Sequence, residues 1–420
     1  MPIAGRIDDL PSVVERTGAH VAVFAMTNAP QETLRQAAAA AEAADVALKI
    51  VPGMSTTMRE GTSLRDIRDV QIEDLLGHTE VVIDLESIRS MLRGQRVLIT
   101  GAGGSIGSEI ARQVAACEPE HLSLLDHDET HLFDIANELP AGSAVQVLAD
   151  IRNRALIQRV FAVERPSIVF HAAAHKHVPL LEAHPAEAVM TNVVGMENVL
   201  EAAAGNGVQR LVFISTDKAV YPTSVMGASK RIGEQLVLNR TPTGAAYCAV
   251  RFGNVLGSRG SVVPTFMKQI ERGGPVTVTD RRMTRFFMSI EEAVQLVLQA
   301  AALSSPARGG EVFMLDTGEP VLIYDIRVEI TGVRPGEKLV EELTALEETE
   351  HPTEHPSTRS VTPITIEADE LDTGVQMLER LARNLADDEC RDALARLALV
   401  ERRTGRSSSS EFEAVQSARR

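Results

Sequence analysis

Cysteine is scarce: Cys117, Cys248 and Cys390 stand far apart, with no C-x-x-C spacing. That excludes a disulfide framework and a zinc cage, and it predicts a reducing compartment. Basic residues are outnumbered, 42 Lys and Arg against 58 Asp and Glu, for a net charge of −16. Bulk charge therefore excludes nucleic acid as a partner, and any phosphate must be caught locally. Long apolar runs are missing. The nearest, VQLVLQAAAL, falls short of the ~18 residues a membrane span needs and follows Glu291 and Glu292. The opening MPIAGRIDDLPS lacks the basic-then-apolar layout of a signal peptide. The expectation is a cytoplasmic protein with no membrane anchor. Tyrosine is rare as well, only Tyr221, Tyr247 and Tyr324, and no internal repeat is visible.

What the chain has is core. Its 420 residues are 44% hydrophobic and 24% charged, which suits two or three soluble domains. Residues 1–92 read as a partial α/β domain, with HVAVFAM and VALKIVP as strands and the alanine-rich QETLRQAAAAAEAADV as a helix between them. No glycine-rich phosphate turn lies there, so this part reads as a structural or dimerising appendage. Over residues 93–345, strand-like runs (LSLLD, AVQVLAD, SIVFHAA, RLVFIST, AYCAVRF) alternate with helical patterns such as EAVMTNVVGMENVLEAAAG and MGASKRIGEQLVL. Such alternation predicts an α/β fold, a Rossmann-type doubly wound parallel sheet covered on both faces. Residues 346–420 open with LEETEHPTEHPSTRSVTP, which is acidic, Pro/Thr-rich and aperiodic and so predicts a linker. Helical spacing then resumes over 367–403 as a C-terminal tail.

The first βα turn reads Gly101-Ala-Gly-Gly104-Ser105-Ile106-Gly107, between the strand VLIT and the helix IGSEIARQ. Glycines there allow a tight turn, let backbone N–H groups approach a pyrophosphate, and let the helix pack on the strand. Asp126, ending LSLLD, is placed to accept hydrogen bonds from an adenosine ribose and to repel a 2′-phosphate, which argues for NAD(H) as cofactor. Asp150, ending the next strand, is the candidate to touch adenine. The full cofactor set expected is Gly101, Gly104, Ser105, Ile106, Gly107, Asp126, Asp150, Ile151, Ala172, Ala173, Ala174, Asn192 and Lys230. His171-Ala-Ala-Ala-His175 has H-x-x-x-H spacing but follows a strand and lacks the glutamate of a zincin, so no metal is expected. The alanines instead leave room for the dinucleotide, while Lys176 and His177 face the substrate.

Ser215-Thr216-Asp217-Lys218 ends a strand, and Met226 stands four residues before Lys230 at the start of a helix. In short-chain dehydrogenase/reductases a Tyr occupies that position, sharing a helix face with the Lys that lowers its pKa. A thioether carries no proton, and none of the three tyrosines stands four residues before a lysine. Asp217 and Lys218, adjacent at a strand's carboxyl end, can supply a carboxyl acid and an amine base.

The segments GAGGSIGSE, LLDHDE, HAAAHKHVPLLE, STDKAVYPTSVMGASKR, VRFGNVLGSRGSVVPTF, MTRFFM and TGVRPGEKL, in this order over residues 1–345, resemble the UDP-N-acetylglucosamine 4,6-dehydratases of polysaccharide and glycan biosynthesis. These are extended short-chain dehydrogenase/reductases with a smaller substrate lobe, and the Met form resembles the branch that retains configuration at C5. The resemblance implies transient oxidation of C4, loss of water across C5 and C6, and reduction at C6. By position it makes Asp217 the acid for the C6 hydroxyl and Lys218 the base at C5. Thr216 would touch the C4 hydroxyl, Lys230 would hold the nicotinamide ribose, and Met226 would shape the pocket. For the UDP-sugar it implies Lys176, His177, Asn254, Arg259, Arg285, Arg334 and Glu337. It also implies a homo-oligomer, a dimer or higher. The chain departs from the family in lacking transmembrane helices and a helix after Asp325. A nucleotide-sugar 4-epimerase and a catalytically silent NAD-binding module are the alternative readings.

Overall fold

The computed structural model describes residues 3–26, 31–51, 68–69, 83–259, 265–315 apart from 267, 270, 271, 273, 281 and 286, then 321–322, 328–330 and 334–399. The chain divides into two compact units, Met1–Val82 and Ile83–Arg420. In the first, the strands Val21–Phe24 and Ala47–Ile50 pair in parallel, with the helix Gln31–Ala43 as their crossover. Phe24, Leu34 and Ala37 form its small core against Ile7, Leu48 and Ile50.

The second unit is built on a nine-stranded sheet. Its strands in chain order are β1 (Arg96–Thr100), β2 (His121–Asp126), β3 (Val145–Leu148), β4 (Ile168–His171), β5 (Arg210–Ile214), β6 (Ala246–Arg251), β7 (Glu311–Leu315), β8 (Thr349–Pro352) and β9 (Thr358–Thr362). They lie in the order β3-β2-β1-β4-β5-β6-β7-β9-β8. The first seven are parallel; β9 and β8 add an antiparallel hairpin on β7. This is the Rossmann-type doubly wound α/β fold, with its strand order reversing beside β1. Parallel strands covered on both faces must be apolar throughout, and β4, β6 and β7 are buried along their whole length. Smaller strand pairs, including Asn254–Val255 with Phe287–Met288 and Thr284–Arg285 with Val321–Leu322, make the lobe over the carboxyl ends of β5 and β6.

Four expectations change. The helix Leu85–Leu92, placed before the domain boundary on sequence, belongs to the second unit; its Ile88 and Leu92 are fully buried and it packs on the helix Ile290–Leu303. The segment expected as a linker is instead β8 and β9: Thr358 and Val361 are buried, and the strand that carries them pairs with β7. The helices Ala368–Arg383 and Asp387–Ala398 then join the main core through Leu371, Leu378, Cys390 and Leu394 rather than forming a tail. The single helix expected around residue 192 is broken: Val189–Val194 is a π-helical turn between Pro185–Ala188 and Gly195–Gly205. Asp325 lies outside the described residues. No helix among the described residues is long and apolar enough to cross a membrane.

The C-terminal segment also supplies a charge to the core. Arg251, at the end of β6, is fully buried and donates to Glu234 (2.7 and 2.8 Å) and to Glu348 (2.6 and 2.9 Å). Arg231 bridges the same two carboxylates at 3.2 Å. Burial alone would raise the Glu234 carboxyl, but Arg251 and Arg231 hold it below its ordinary range. Removing one partner of such a group strands a buried charge. Glu348→Ala is therefore expected to cost about 3–5 kcal/mol of unfolding free energy in urea. Glu350→Ala, which loses a half-exposed bridge to Arg359 and an exposed hydrogen bond from Thr344, should cost about 1 kcal/mol or less. Equal midpoints for the two variants would contradict this.

Candidate active site

Two connected clefts run along the carboxyl ends of the parallel strands. The first encloses about 330 Å³ between the glycine turn, Asp126, Asp150, Ala172–Ala174 and Arg259. The second, about 300 Å³, is lined by Thr216, Lys218, Met226, Lys230, Asn254 and Phe287 among others. Ile106, Ala172, Ala174, Lys176 and His177 border both.

The turn is glycine for steric reasons. Gly101 has φ +71°, and a Cβ there would lie 2.5 Å from the Ala173 nitrogen. At Gly107 a Cβ would come within 2.0 Å of the Gly101 carbonyl oxygen. The helix Ser105–Ala115 thus starts flush against β1, with the N–H groups of its first turn toward the cleft. Asp126 is buried, its Oδ2 accepting from the Gly103 N–H at 2.8 Å and its Oδ1 from the Asp128 N–H at 3.0 Å. The carboxylate both ties down the turn and borders the cleft. The shape, the N–H groups and the acidic ribose position together fit a dinucleotide.

Several expected contacts are placed differently. Arg152 grips both oxygens of Asp150 (2.7–3.1 Å) and also reaches Glu187, so Asp150 meets the cleft already neutralised. Burial alone would raise the Asp150 carboxyl, but the Arg152 bonds hold it below the ordinary range. Ile151 borders the first cleft. Asn192, on the π turn, does not line it: its amide clasps the His175 backbone (2.8 and 3.0 Å) and Ser229 Oγ (2.9 Å), holding the alanine loop in place. Arg259, expected at the substrate, lies over the glycine turn, donating to the Gly103 carbonyl at 2.9 Å. Arg285 is buried and spent on the carbonyls of Thr284, Lys338 and Leu339, which leaves it clamping a loop rather than facing a diphosphate. Arg334 is exposed and Glu337 caps its N–H at 3.3 Å; neither borders the two clefts.

His171 is a core residue. It bonds Thr100 Oγ1 at 2.7 Å, stacks on Phe213, and is pushed down to about 3 by burial and the charge of Lys230. No group of His, Cys, Asp and Glu among the described residues could hold a metal ion.

The second cleft is lined by side chains able to exchange protons, Thr216, Lys218 and Lys230. The helix Val225–Arg240, capped by Ser224, places Met226 and Lys230 one turn apart on the face toward the cleft. Gly227 lets that helix start against the Lys218 turn, since a Cβ would lie 2.2 Å from the Lys218 carbonyl oxygen. Lys218 Nζ donates to Asp217 Oδ1 and to Asn254 Oδ1, each at 2.9 Å. Thr216 Oγ1 donates to the same Asp217 oxygen at 2.8 Å. Asp217 itself is fully buried behind Thr216 and Lys218 and does not line the cleft, a correction to its expected direct contact with substrate; its Oδ2 has no hydrogen-bond partner. Lys230 Nζ donates to the Ile214 carbonyl at 2.7 Å and lies 4.6 Å from the Phe213 ring centre. Among the described residues no phenol borders this cleft: Tyr221 bonds Glu347 and the Leu346 N–H, Tyr247 bonds the Val208 carbonyl, and Tyr324 lies outside the described residues. The sequence reading missed Glu341, buried 3.9 Å from Lys218 Nζ, although it stands just past the RPGEK motif.

Residues 97–363 match the family described as polysaccharide biosynthesis protein. The chain belongs to that family. The capsular polysaccharide biosynthesis protein CapD of Staphylococcus aureus is 44% identical over 363 residues, 81% of this chain. The chain spans 60% of that relative's length. Among solved structures, Pen from Bacillus thuringiensis aligns with a TM-score of 0.59 at 30% identity, covering 70% of this chain and 99% of that one. The UDP-glucose 4-epimerase of Thermus thermophilus, solved with NAD, aligns at 0.50 and 25% identity, covering 60% and 89%. This member of the family carries the glycine turn and, on the cleft-facing helix, Lys230 with Met226 four residues before it.

Lys230 has a measurable signature. Burial pushes it down from the ordinary lysine value to about 7, with Glu234 opposing in part. Between these values the unfolded chain holds a proton that the folded one has released, so stability rises with pH. Below pH 7 both states are protonated, and the cost of burying the ammonium is carried in full. Lys230→Met should therefore be more stable than the parent at pH 6. The gap should close by about 1.4 kcal/mol per pH unit above pH 7, followed by chemical denaturation. A gap independent of pH would contradict this.

Proposed function

We propose that the chain is a nucleotide-sugar 4,6-dehydratase, with NAD held in the glycine-turn cleft and UDP-N-acetylglucosamine in the second cleft. The reading rests chiefly on one observation: Lys218 borders the cleft in contact with Asp217, beside Lys230 and a methionine that cannot carry a proton. When bound, NAD⁺ supplies reversible oxidation, making C4 a ketone and later reducing C6. Gly101–Gly107 and Arg259 would hold the pyrophosphate, and Asp126 the adenosine ribose.

Every proton is then moved by side chains. Met226 leaves the C4 hydroxyl without its usual base. Lys230, at about 7, is partly amine at neutral pH and can take that proton. The C4 ketone acidifies the C5 proton, which Lys218 removes as an amine. From Lys218 the proton passes 2.9 Å to Asp217 and, through the Thr216 hydroxyl on the cleft wall, to the departing C6 hydroxyl. The C5–H and C6–O bonds break and one water forms; when C6 is reduced, C5 regains a proton from solvent by way of Lys218, while the C4 hydroxyl proton leaves Lys230 to solvent. Lys176, His177 and Asn254 border the space for the sugar nucleotide.

Purified protein given UDP-N-acetylglucosamine should form a 4-keto-6-deoxy product, detected by its absorbance in alkali. Lys218→Ala and Asp217→Asn should each lower the rate by about 10²-fold or more while NAD remains bound. Full activity in either variant would remove the role assignment. The likeness to a UDP-glucose 4-epimerase favours a second reading, C4 epimerisation. A product changed only in C4 configuration, with no water lost, would establish it.

A further inference from the structure

Lys218 poses a problem that the pair with Asp217 does not solve. It donates to two oxygens, Asp217 Oδ1 and Asn254 Oδ1, and an ammonium cannot take a proton until it has lost one. The nearest other group able to receive that proton is Glu341. Its Oε1 lies 3.9 Å from Lys218 Nζ and 4.0 Å from Arg285 Nη2. Its Oε2 is buried with no hydrogen-bond partner, and the residue is 5% exposed. Arg285 fixes the loop that presents it, donating to the carbonyls of Lys338 (2.9 Å) and Leu339 (3.1 Å). The charged groups facing the carboxyl are Lys218, Asp217, Arg285 and Lys338. Burial pushes this carboxyl above its ordinary range and Asp217 adds to the effect, while Lys218, Arg285 and Lys338 oppose it. A buried carboxylate with an unbonded oxygen is costly as an anion, whereas the neutral acid needs less solvation.

We propose that Glu341 is the proton acceptor that converts Lys218 from ammonium to amine, an inference that rests on the dehydratase reading for its purpose but not for its chemistry. One N–H bond of Lys218 breaks and one O–H bond forms on Glu341, so the Nζ lone pair becomes available to the C5 proton. With Lys338 balanced by Glu342 at 3.1 Å, the rest of the group starts with two cations, Lys218 and Arg285, and two anions, Asp217 and Glu341. It ends with Arg285 and Asp217 charged, so its net charge stays at zero and no counter-ion has to enter. Glu341 lines neither cleft and is a positioning residue that acts through Lys218.

Two measurements on the full chain test this. With UDP-N-acetylglucosamine, Glu341→Gln should lower kcat about tenfold or more at pH 7 with KM and NAD retention unchanged, and the rate should recover as alkaline solution takes the proton instead. Infrared titration of the parent without substrate should show a protonated-carboxyl band at neutral pH. That band should be absent from Glu341→Gln and move to higher pH in Lys218→Met, where the opposing cation is gone. An unchanged melting temperature for Glu341→Gln keeps the comparison fair. A parent rate in Glu341→Gln at pH 7, or no band difference between it and the parent, overturns the inference and leaves the dehydratase reading standing. If the band behaves as described but no keto-sugar forms, the sugar reading fails and the shared proton remains.

Discussion

The geometry of the site depends on how the charge of Arg251 is balanced inside the protein. A fully buried guanidinium is tolerable only when its hydrogen bonds are met by carboxylates, and the desolvation penalty for an unpaired one is several kcal/mol. Glu234 comes from the helix that carries Lys230, and Glu348 from the segment leading into the C-terminal hairpin. Ser215, one residue before Thr216, completes the group through its 2.7 Å bond to Glu234. One cluster of two arginines and two glutamates therefore links β5, β6, the Lys230 helix and the chain's last third. The functional side chains are held by what lies beneath them, and the C-terminal segment is part of that support.

Above this cluster, two lysines stand in unlike surroundings. Lys230 has a carbonyl and an aromatic face but no carboxylate within bonding distance, so burial dominates and lowers its proton affinity. Lys218 has Asp217 and Asn254 within 2.9 Å and Glu341 beyond them. Environments that separate the behaviour of like groups are how one fold assigns several proton-transfer roles at neutral pH.

Much of the site was legible in the chain because its residues are dictated locally. The glycine turn shows itself since a backbone that crosses Ala173 and meets a helix start admits no side chain. The STDK segment and the Met226–Lys230 spacing follow from a strand end and one helical turn. What stayed hidden depends on contacts far apart in sequence. Nothing near Arg285 or Arg259 announces that one is consumed by carbonyls of residues 338–339 and the other by the turn at Gly103. Asp150 is adenine-ready by position but carries Arg152 two residues on. The hairpin β8–β9 was masked by prolines: Pro352 ends an edge strand, where the missing N–H does no harm, and Pro363 follows the last residue of β9. The strand signal that was present is the β-branched content of TRSVT, two threonines and a valine in five residues.

The central claim is that Lys218 and Asp217 carry a proton away from carbon and deliver it to a leaving hydroxyl. Incubation with UDP-N-acetylglucosamine in deuterated water, followed by NMR and mass measurement of the sugar, tests this most directly. The account predicts one deuterium at C5, none at C4, and a mass lower by one water before correction for the isotope. Turnover that leaves C5 fully protonated, or a product that keeps its C6 oxygen, would contradict it.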